Sequence, residues 1–273
     1  MKHYTDLVSR ILQTGERRED RTGTGTLSIF GGQLRFDMRE RFPLVTVKET
    51  KWKVAFLEML WFLRGEPNTK FLRQNRCNLW DAWADKDGNL GPIYGVQWRH
   101  WNPHPFFDST EFSSIDQIRD LILGIKVNPM SRRHMVSAWN VAHIDDMALP
   151  PCHWAFQCYA SNDGHIDMQV NQRSWDVALG APFNIAQYAL LLTLLARTTG
   201  RTPRRLMFAF GDAHIYLNHV DAMREMVARQ RYDNEPTRLL INTENTDIDG
   251  YNIDDFQIVD YKHQPHIKLP IAV

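Results

Sequence analysis

The sequence has few of the residues that staple small secreted folds, and it has no long apolar run. Its 273 residues include only three cysteines, Cys77, Cys152 and Cys158, an odd number at none of the spacings of a zinc site or disulfide framework. A reducing, cytoplasmic setting without a metal is therefore expected. Net charge is absent as well: 32 Lys plus Arg balance 32 Asp plus Glu, so no overall field steers the molecule toward nucleic acid or a membrane. Any anion site must be built locally. No run of eighteen apolar residues occurs, and Met1 to Asp6 lead into an amphipathic pattern rather than a short apolar core, so neither a membrane span nor a secretion signal is expected. Internal repeats and low-complexity stretches are also missing.

What is there suits a globular chain, with 43% hydrophobic and 23% charged residues. Leu7, Ile11 and Leu12 predict a first helix ending near Gly15, followed by a charged loop from Glu16 to Asp20. The run Thr22-Gly-Thr-Gly-Thr26 leads into Leu27, Ile29 and later Leu34, Phe36, which read as a hairpin. Residues 50–64 read as a strongly apolar helix, and a second buried helix is expected over 185–198, after Pro182. Strands are expected at 134–140, 153–160, 165–171, 205–210 and 238–242, giving an α+β fold with helices on a mixed, mostly antiparallel sheet. Asn102–Ser114 reads as a surface loop and does not divide the chain, so residues 1–273 are expected to form a single domain.

Pro150-Pro151-Cys152-His153 places a thiol at the edge of a strand-like run, where a ligand can reach it. A free cysteine can equally be a small buried hydrophobe. His153 does not decide the matter, because neighbouring strand residues point to opposite faces and a dyad between 152 and 153 is not expected. Cations that lower a thiol pKa are offered by Ser131-Arg132-Arg133 and by Gln172-Arg173-Ser174. Each arginine group also matches phosphate geometry, though such groups are as often plain surface charge.

These pieces occur in one order with many others. They include Asp20-Arg-Thr-Gly-Thr-Gly-Thr26, Glu58-Met-Leu-Trp-Phe-Leu63, Leu79-Trp-Asp-Ala-Trp-Ala-Asp85, Gly91-Pro-Ile-Tyr-Gly95, Ser137-Ala-Trp-Asn140, Pro151-Cys-His153, Gly180-Ala-Pro-Phe-Asn-Ile185 and Gly211-Asp-Ala-His-Ile-Tyr216. Over nearly its full length the chain resembles the thymidylate synthase family. The resemblance implies a homodimer paired through its sheet, with dUMP and 5,10-methylenetetrahydrofolate as substrates and no need for nucleic acid. It implies that Cys152 adds to C6 of the uracil ring, so that C5 attacks the folate's methylene group. Arg21, Arg173 and Ser174 resemble phosphate ligands of one subunit, with Gln172 beside them, and Arg132 and Arg133 the pair reaching into the other subunit's site. Glu58, Tyr94 and Asn184 resemble the groups that handle protons and the O4 oxygen, and His214 and Tyr216 those that hold the deoxyribose 3′-hydroxyl. Asp176 is expected at the pterin, with Lys48, Leu79, Trp80, Trp83, Leu149, Leu179, Gly180, Phe183 and Ala272 around the folate. The Asn184 amide offers one donor and one acceptor, the complement of uracil O4 and N3–H, and favours dUMP over dCMP.

Five residues depart from the family pattern. Trp154 and Trp175 add bulk, Cys158 and Ala178 remove it, and Asn171 stands where a tyrosine is common. Volume-compensated repacking accounts for the first four. The alternative is a changed second half-reaction: a synthase uses a folate hydride to give dTMP and dihydrofolate, whereas a deoxyuridylate hydroxymethylase admits water and gives 5-hydroxymethyl-dUMP and tetrahydrofolate. Trp80, Leu149 and Pro270-Ile-Ala-Val273 resemble the shielding elements of a synthase and favour dTMP.

Overall fold

The computed structural model describes residues 1–102, 114–232 and 236–271. In chain order the elements are α1 (Lys2–Thr14), β1 (Glu16–Arg18), β2 (Thr26–Asp37), α2 (Trp52–Arg64), α3 (Lys70–Gln74), α4 (Tyr94–Arg99) and α5 (Gln117–Val127). They continue with β3 (Met135–Ser137), β4 (His153–Ala160), β5 (His165–Asp176), α6 (Gly180–Thr198), β6 (Thr202–Tyr216), α7 (Val220–Ala228), β7 (Arg238–Ile241) and β8 (Phe256–Val259). Six strands form one sheet in the order β1-β2-β6-β5-β4-β3. The β5–β6 pair is parallel and the others antiparallel, the mixed α+β arrangement expected. A parallel neighbour needs a long crossover, and α6 supplies it.

One face of the sheet is the floor of the core. Phe156, Val170, Phe208 and Leu34 lie abreast across four strands, and Cys158, Met168, Leu206 and Phe36 form the next row. All eight are buried, as alternation along a strand requires when one face is covered. Helix α6 packs on β5 and β6, and α2 packs on α6. Both helices are apolar nearly all round, which suits helices enclosed within a core. The polar residues inside them, Glu58 and Gln187, are buried there and need partners. Helix α4 lies close to α2 because Gly95 leaves room: a Cβ there would come within 2.3 Å of the Phe62 carbonyl. This close approach sets Tyr94 against Phe62, ring centroids 4.9 Å apart. Among the described residues no helix is long and apolar enough to cross a membrane.

Several sequence expectations need correction. Leu27, Ile29, Leu34 and Phe36 do not form a hairpin: all four lie on the single strand β2, whose pairing with β6 keeps one register on both sides of Gly31 and Gly32. Gly31 has φ of +80°, a local kink in a continuing strand. The charged stretch after α1 is partly strand, since Glu16–Arg18 pairs with β2 at the sheet edge, where charged side chains are favoured. β5 and β6 run further toward the site than expected, and α6 begins at Gly180. The strand expected at 134–140 shortens to Met135–Ser137, and Arg238–Ile241 pairs with β8 in a separate ribbon. Most of the loop expected at Asn102–Ser114 lies outside the described residues.

Candidate active site

Cys152 ends an extended lead-in through Pro150 and Pro151 and stands just before β4, half-buried. A register shift between His153 and Ala155 frees the start of β4 from regular pairing. The Cys152 backbone is held from both sides, its N–H donating to the Tyr94 hydroxyl at 2.8 Å and its carbonyl accepting from the Arg173 N–H at 2.8 Å. Arg173 also donates from Nε to the Pro151 carbonyl and from Nη2 to the Pro150 carbonyl, both at 2.9 Å. Its guanidinium is thereby folded over the Pro-Pro-Cys segment. Burial pushes the Cys152 thiol up, and Arg173, Tyr94 and Ser174 pull the other way without fully offsetting it. His153 forms no dyad with the cysteine. Its Nδ1 is 2.8 Å from the Tyr188 hydroxyl, its ring stacks on Tyr94 at 4.2 Å, and burial lowers its pKa to about 3, so it stays neutral.

Beside the thiol lies a chain of buried polar groups. The Trp175 indole Nε1 donates to Asn184 Oδ1 at 3.0 Å, and Gln172 Nε2 donates to the same oxygen at 3.1 Å. Asn184 Nδ2 donates to Gln187 Oε1 at 3.1 Å, and Gln187 Nε2 donates to Glu58 Oε2. The other Glu58 oxygen accepts from the Trp80 indole at 2.6 Å. Burial lifts the Glu58 pKa to about 7, even with both donors holding it down. Such a carboxyl can take and release a proton near neutrality. Tyr94 and Tyr188, both raised well above the usual phenol range by burial, remain neutral around it.

The third group gathers where β2, β5 and β6 end. Asp176 pairs in register with His214, and His214 with Ser28. His214 Nδ1 lies 2.8 Å from Asp212 Oδ1, and its ring meets Tyr216 edge-on at 5.3 Å. Asp20 organises the Thr-Gly-Thr-Gly loop beside Arg21, accepting from Thr22 and Gly25. Burial and the charges of Asp176 and Asp20 raise the Tyr216 phenol to about 12, while Arg21 opposes them and Cys152 adds a further coupling. Asp176 also accepts from the Ala178 and Leu179 N–H groups, ordering the turn into α6. Buried Lys48 donates to the Ala178 carbonyl at 2.6 Å, and burial lowers its pKa to about 8.

Leu79, Trp83, Leu149 and Phe183 are half-buried and pack against the core, and Trp80 is buried among them, 5.7 Å from Trp83. The Trp83 indole nitrogen is buried with no hydrogen-bond partner, an orphan donor such as a polar aromatic ligand could satisfy. Leu179 and Gly180 are half-exposed at the start of α6. Arg132 and Arg133 are not joined to this cluster: both are exposed ahead of edge strand β3. Ala272 lies outside the described residues. Among the described residues no group of three or more His, Cys, Asp or Glu could hold a metal ion.

Repacking does not unite all the departures from the family pattern. Trp154 is 37% exposed and stays out of the core that contains Cys158, so its bulk cannot fill that space. Trp175, by contrast, is buried and stacks on Phe208 at 5.1 Å and 19°. Sequence reasoning missed Gln187, which links Asn184 to Glu58. Its signal is a lone amide within the apolar run Ile185-Ala-Gln-Tyr-Ala189, a position that costs free energy unless both ends are hydrogen-bonded. Against this geometry stands the comparison with known proteins: the family model described as thymidylate synthase matches residues 2–273.

Proposed function

The chain belongs to the thymidylate synthase family of one-carbon transferases, which act on dUMP with methylenetetrahydrofolate, and on that premise we propose that its product is dTMP, with Cys152 as the nucleophile. The observation that carries this reading is the dry wall beside the thiol. Trp80 is 6% exposed and its indole N–H is taken by Glu58, so that ring offers water no donor. Buried His219 hydrogen-bonds the Pro270 carbonyl at 2.7 Å, which holds the C-terminal segment near the end of β6. Exclusion of water favours reduction of the transferred carbon over its hydration.

The chain's own groups divide the work. Arg21, Arg173 and Ser174 bind the phosphate of dUMP, which sets the pyrimidine over Cys152. Arg132 and Arg133, exposed and uninvolved in their own site, complete that phosphate site across a homodimer formed by the open face of the sheet. Arg173, held over the Pro-Pro-Cys segment by two carbonyls, keeps a cation beside the sulfur and favours its thiolate. The thiolate forms a bond to C6, the electron pair of the C5–C6 double bond moves toward O4, and C5 becomes the carbon nucleophile. Asn184 holds O4 with its amide N–H, and Glu58 takes up and returns protons at the ring through ordered water. His214 and Tyr216 fix the deoxyribose. The folate, lying along Leu79, Trp80, Trp83, Leu149 and Phe183 with Asp176 at its pterin, supplies a one-carbon unit and a hydride.

The experiment is turnover of dUMP with 5,10-methylenetetrahydrofolate, followed by absorbance and by the mass of the nucleotide. Dihydrofolate growth with dTMP is expected. Tetrahydrofolate with 5-hydroxymethyl-dUMP identifies a hydroxymethylase instead.

A further inference from the structure

Trp175 is a departure from the family pattern that touches the base-recognition group directly. An indole N–H can only donate, so the Asn184 atom facing it at 3.0 Å must be the carbonyl oxygen. That single constraint propagates. Asn184 must turn its NH2 group to Gln187, Gln187 must answer with Oε1, and its own NH2 must then point to Glu58 Oε2. At the far end Trp80, another donor-only indole, faces the other carboxylate oxygen. Two amides that could each sit in either orientation are thus set in one direction by the indole at their head.

We propose that Trp175 is a positioning residue that locks the polarity of the Asn184–Gln187 amide chain, so that Asn184 keeps presenting a donor to the pyrimidine whatever the protonation state of Glu58. This rests on dUMP being the substrate. Gln172 Nε2 also donates to Asn184 Oδ1, at 3.1 Å, but its own Oε1 is buried without a partner, so this amide can turn over with Asn184 where the indole cannot. Without the indole N–H, protonated Glu58 can donate to Gln187 Oε1, Gln187 can donate to Asn184 Oδ1, and the three amides reverse together. Asn184 then turns its NH2 toward Gln172 and leaves its oxygen on the side where the NH2 had been. An amide free to present oxygen accepts from an exocyclic amino group, so base choice follows the proton on Glu58. With Trp175 in place, reversal would set the Asn184 NH2 against the indole N–H, two donors face to face.

The other groups around Glu58 do not titrate in this range. Tyr94 from α4 and Tyr188 from α6 are raised well above the usual phenol range by burial, Cys77 is raised by burial, and His153 is held neutral with a pKa of about 3. Gln187 and Trp80, its two direct partners, carry no charge. Glu58, with its pKa near 7, is the group whose proton the chain would sense.

The test is equilibrium binding of dUMP and of dCMP to the full chain and to Trp175→Phe, by calorimetry, across a pH range that brackets the Glu58 pKa of about 7. Phenylalanine keeps a ring against Phe208 and removes the N–H. The wild type should show a preference for dUMP that does not change with pH. The variant should keep that preference at high pH and lose roughly tenfold of it as Glu58 protonates. Should the phenyl variant not fold, Trp175→Met removes the same donor with a side chain that adapts to irregular space. A preference that stays flat with pH in the variant, unchanged or uniformly reduced, overturns the lock and leaves Trp175 a packing residue. Failure of dUMP to bind the wild type is a separate result, which removes the proposed substrate and the inference with it.

Discussion

Gln187 and Glu58 come from two helices, α6 and α2, and meet by a hydrogen bond from the amide Nε2 to the carboxylate Oε2 in a fully buried space. Neither residue suits an apolar helix alone. Together they turn the α2–α6 contact, a packing seam over most of its length, into the place where a proton can be held beside a thiol.

Gln187→Leu should therefore act through Glu58. Removing the donor leaves a buried carboxylate short of one partner, at a cost of about 1–3 kcal/mol. Loss of a bond to the charged form raises the Glu58 pKa further above its present value of about 7. The pH limb of kcat that Glu58 controls should move to higher pH, and a limb that stays in place removes Glu58 from proton handling.

Glu58 also makes stability depend on pH. Its folded pKa of about 7 lies above the ordinary value of 4.5, so the unfolded state releases this proton first. Its contribution is most favourable below the ordinary value and is lost as pH rises through about 7, a change on the order of 3 kcal/mol. Denaturant titrations of wild type and Glu58→Gln should diverge over that window and run parallel above it. Parallel behaviour throughout would show that the carboxyl titrates as if exposed.

Cys152 is a thiol raised by burial and partly rescued by Arg173. Its alkylation by iodoacetamide should follow the thiolate, reaching half its maximal rate above the pH typical of a free cysteine. Arg173→Met should move that midpoint higher still, since a cation is lost. Cys152→Ala should lower turnover by roughly 10³-fold or more and leave dUMP binding in place.

Some of this was legible in the residues and some was not, for physical reasons. The α2 and α6 helices were readable because long apolar runs have few alternative fates. The Pro-Pro-Cys edge was readable because proline fixes the backbone ahead of the thiol. β2 was misread because alternation at Leu27, Ile29 and again at Leu34, Phe36 fits two strands as well as one, and only the partner strand β6, far along the chain, shows that the strand continues. Glu16-Arg17-Arg18 resembled a loop because an edge strand has no buried face to give alternation. The hydrogen bond from Trp175 to Asn184 was beyond sequence reasoning, which weighed Trp175 by volume and not by its single donor.

Arg132 and Arg133 offer a test of the dimer. Cys152→Ala and Arg133→Ala should each be nearly inactive, but mixed and refolded together they should regain about one-quarter of wild-type activity, because half of the random pairs are mixed and each rebuilds one site. No recovery would mean that each chain supplies its own phosphate ligands.

The most direct test follows hydrogen at C5 of the pyrimidine. With dUMP tritiated at that carbon, the account predicts release of tritium to water that requires both methylenetetrahydrofolate and Cys152, because C5 can exchange its hydrogen for a new carbon only after sulfur has bonded to C6. Tritium retained in the nucleotide during turnover, or released equally by Cys152→Ala, would contradict it.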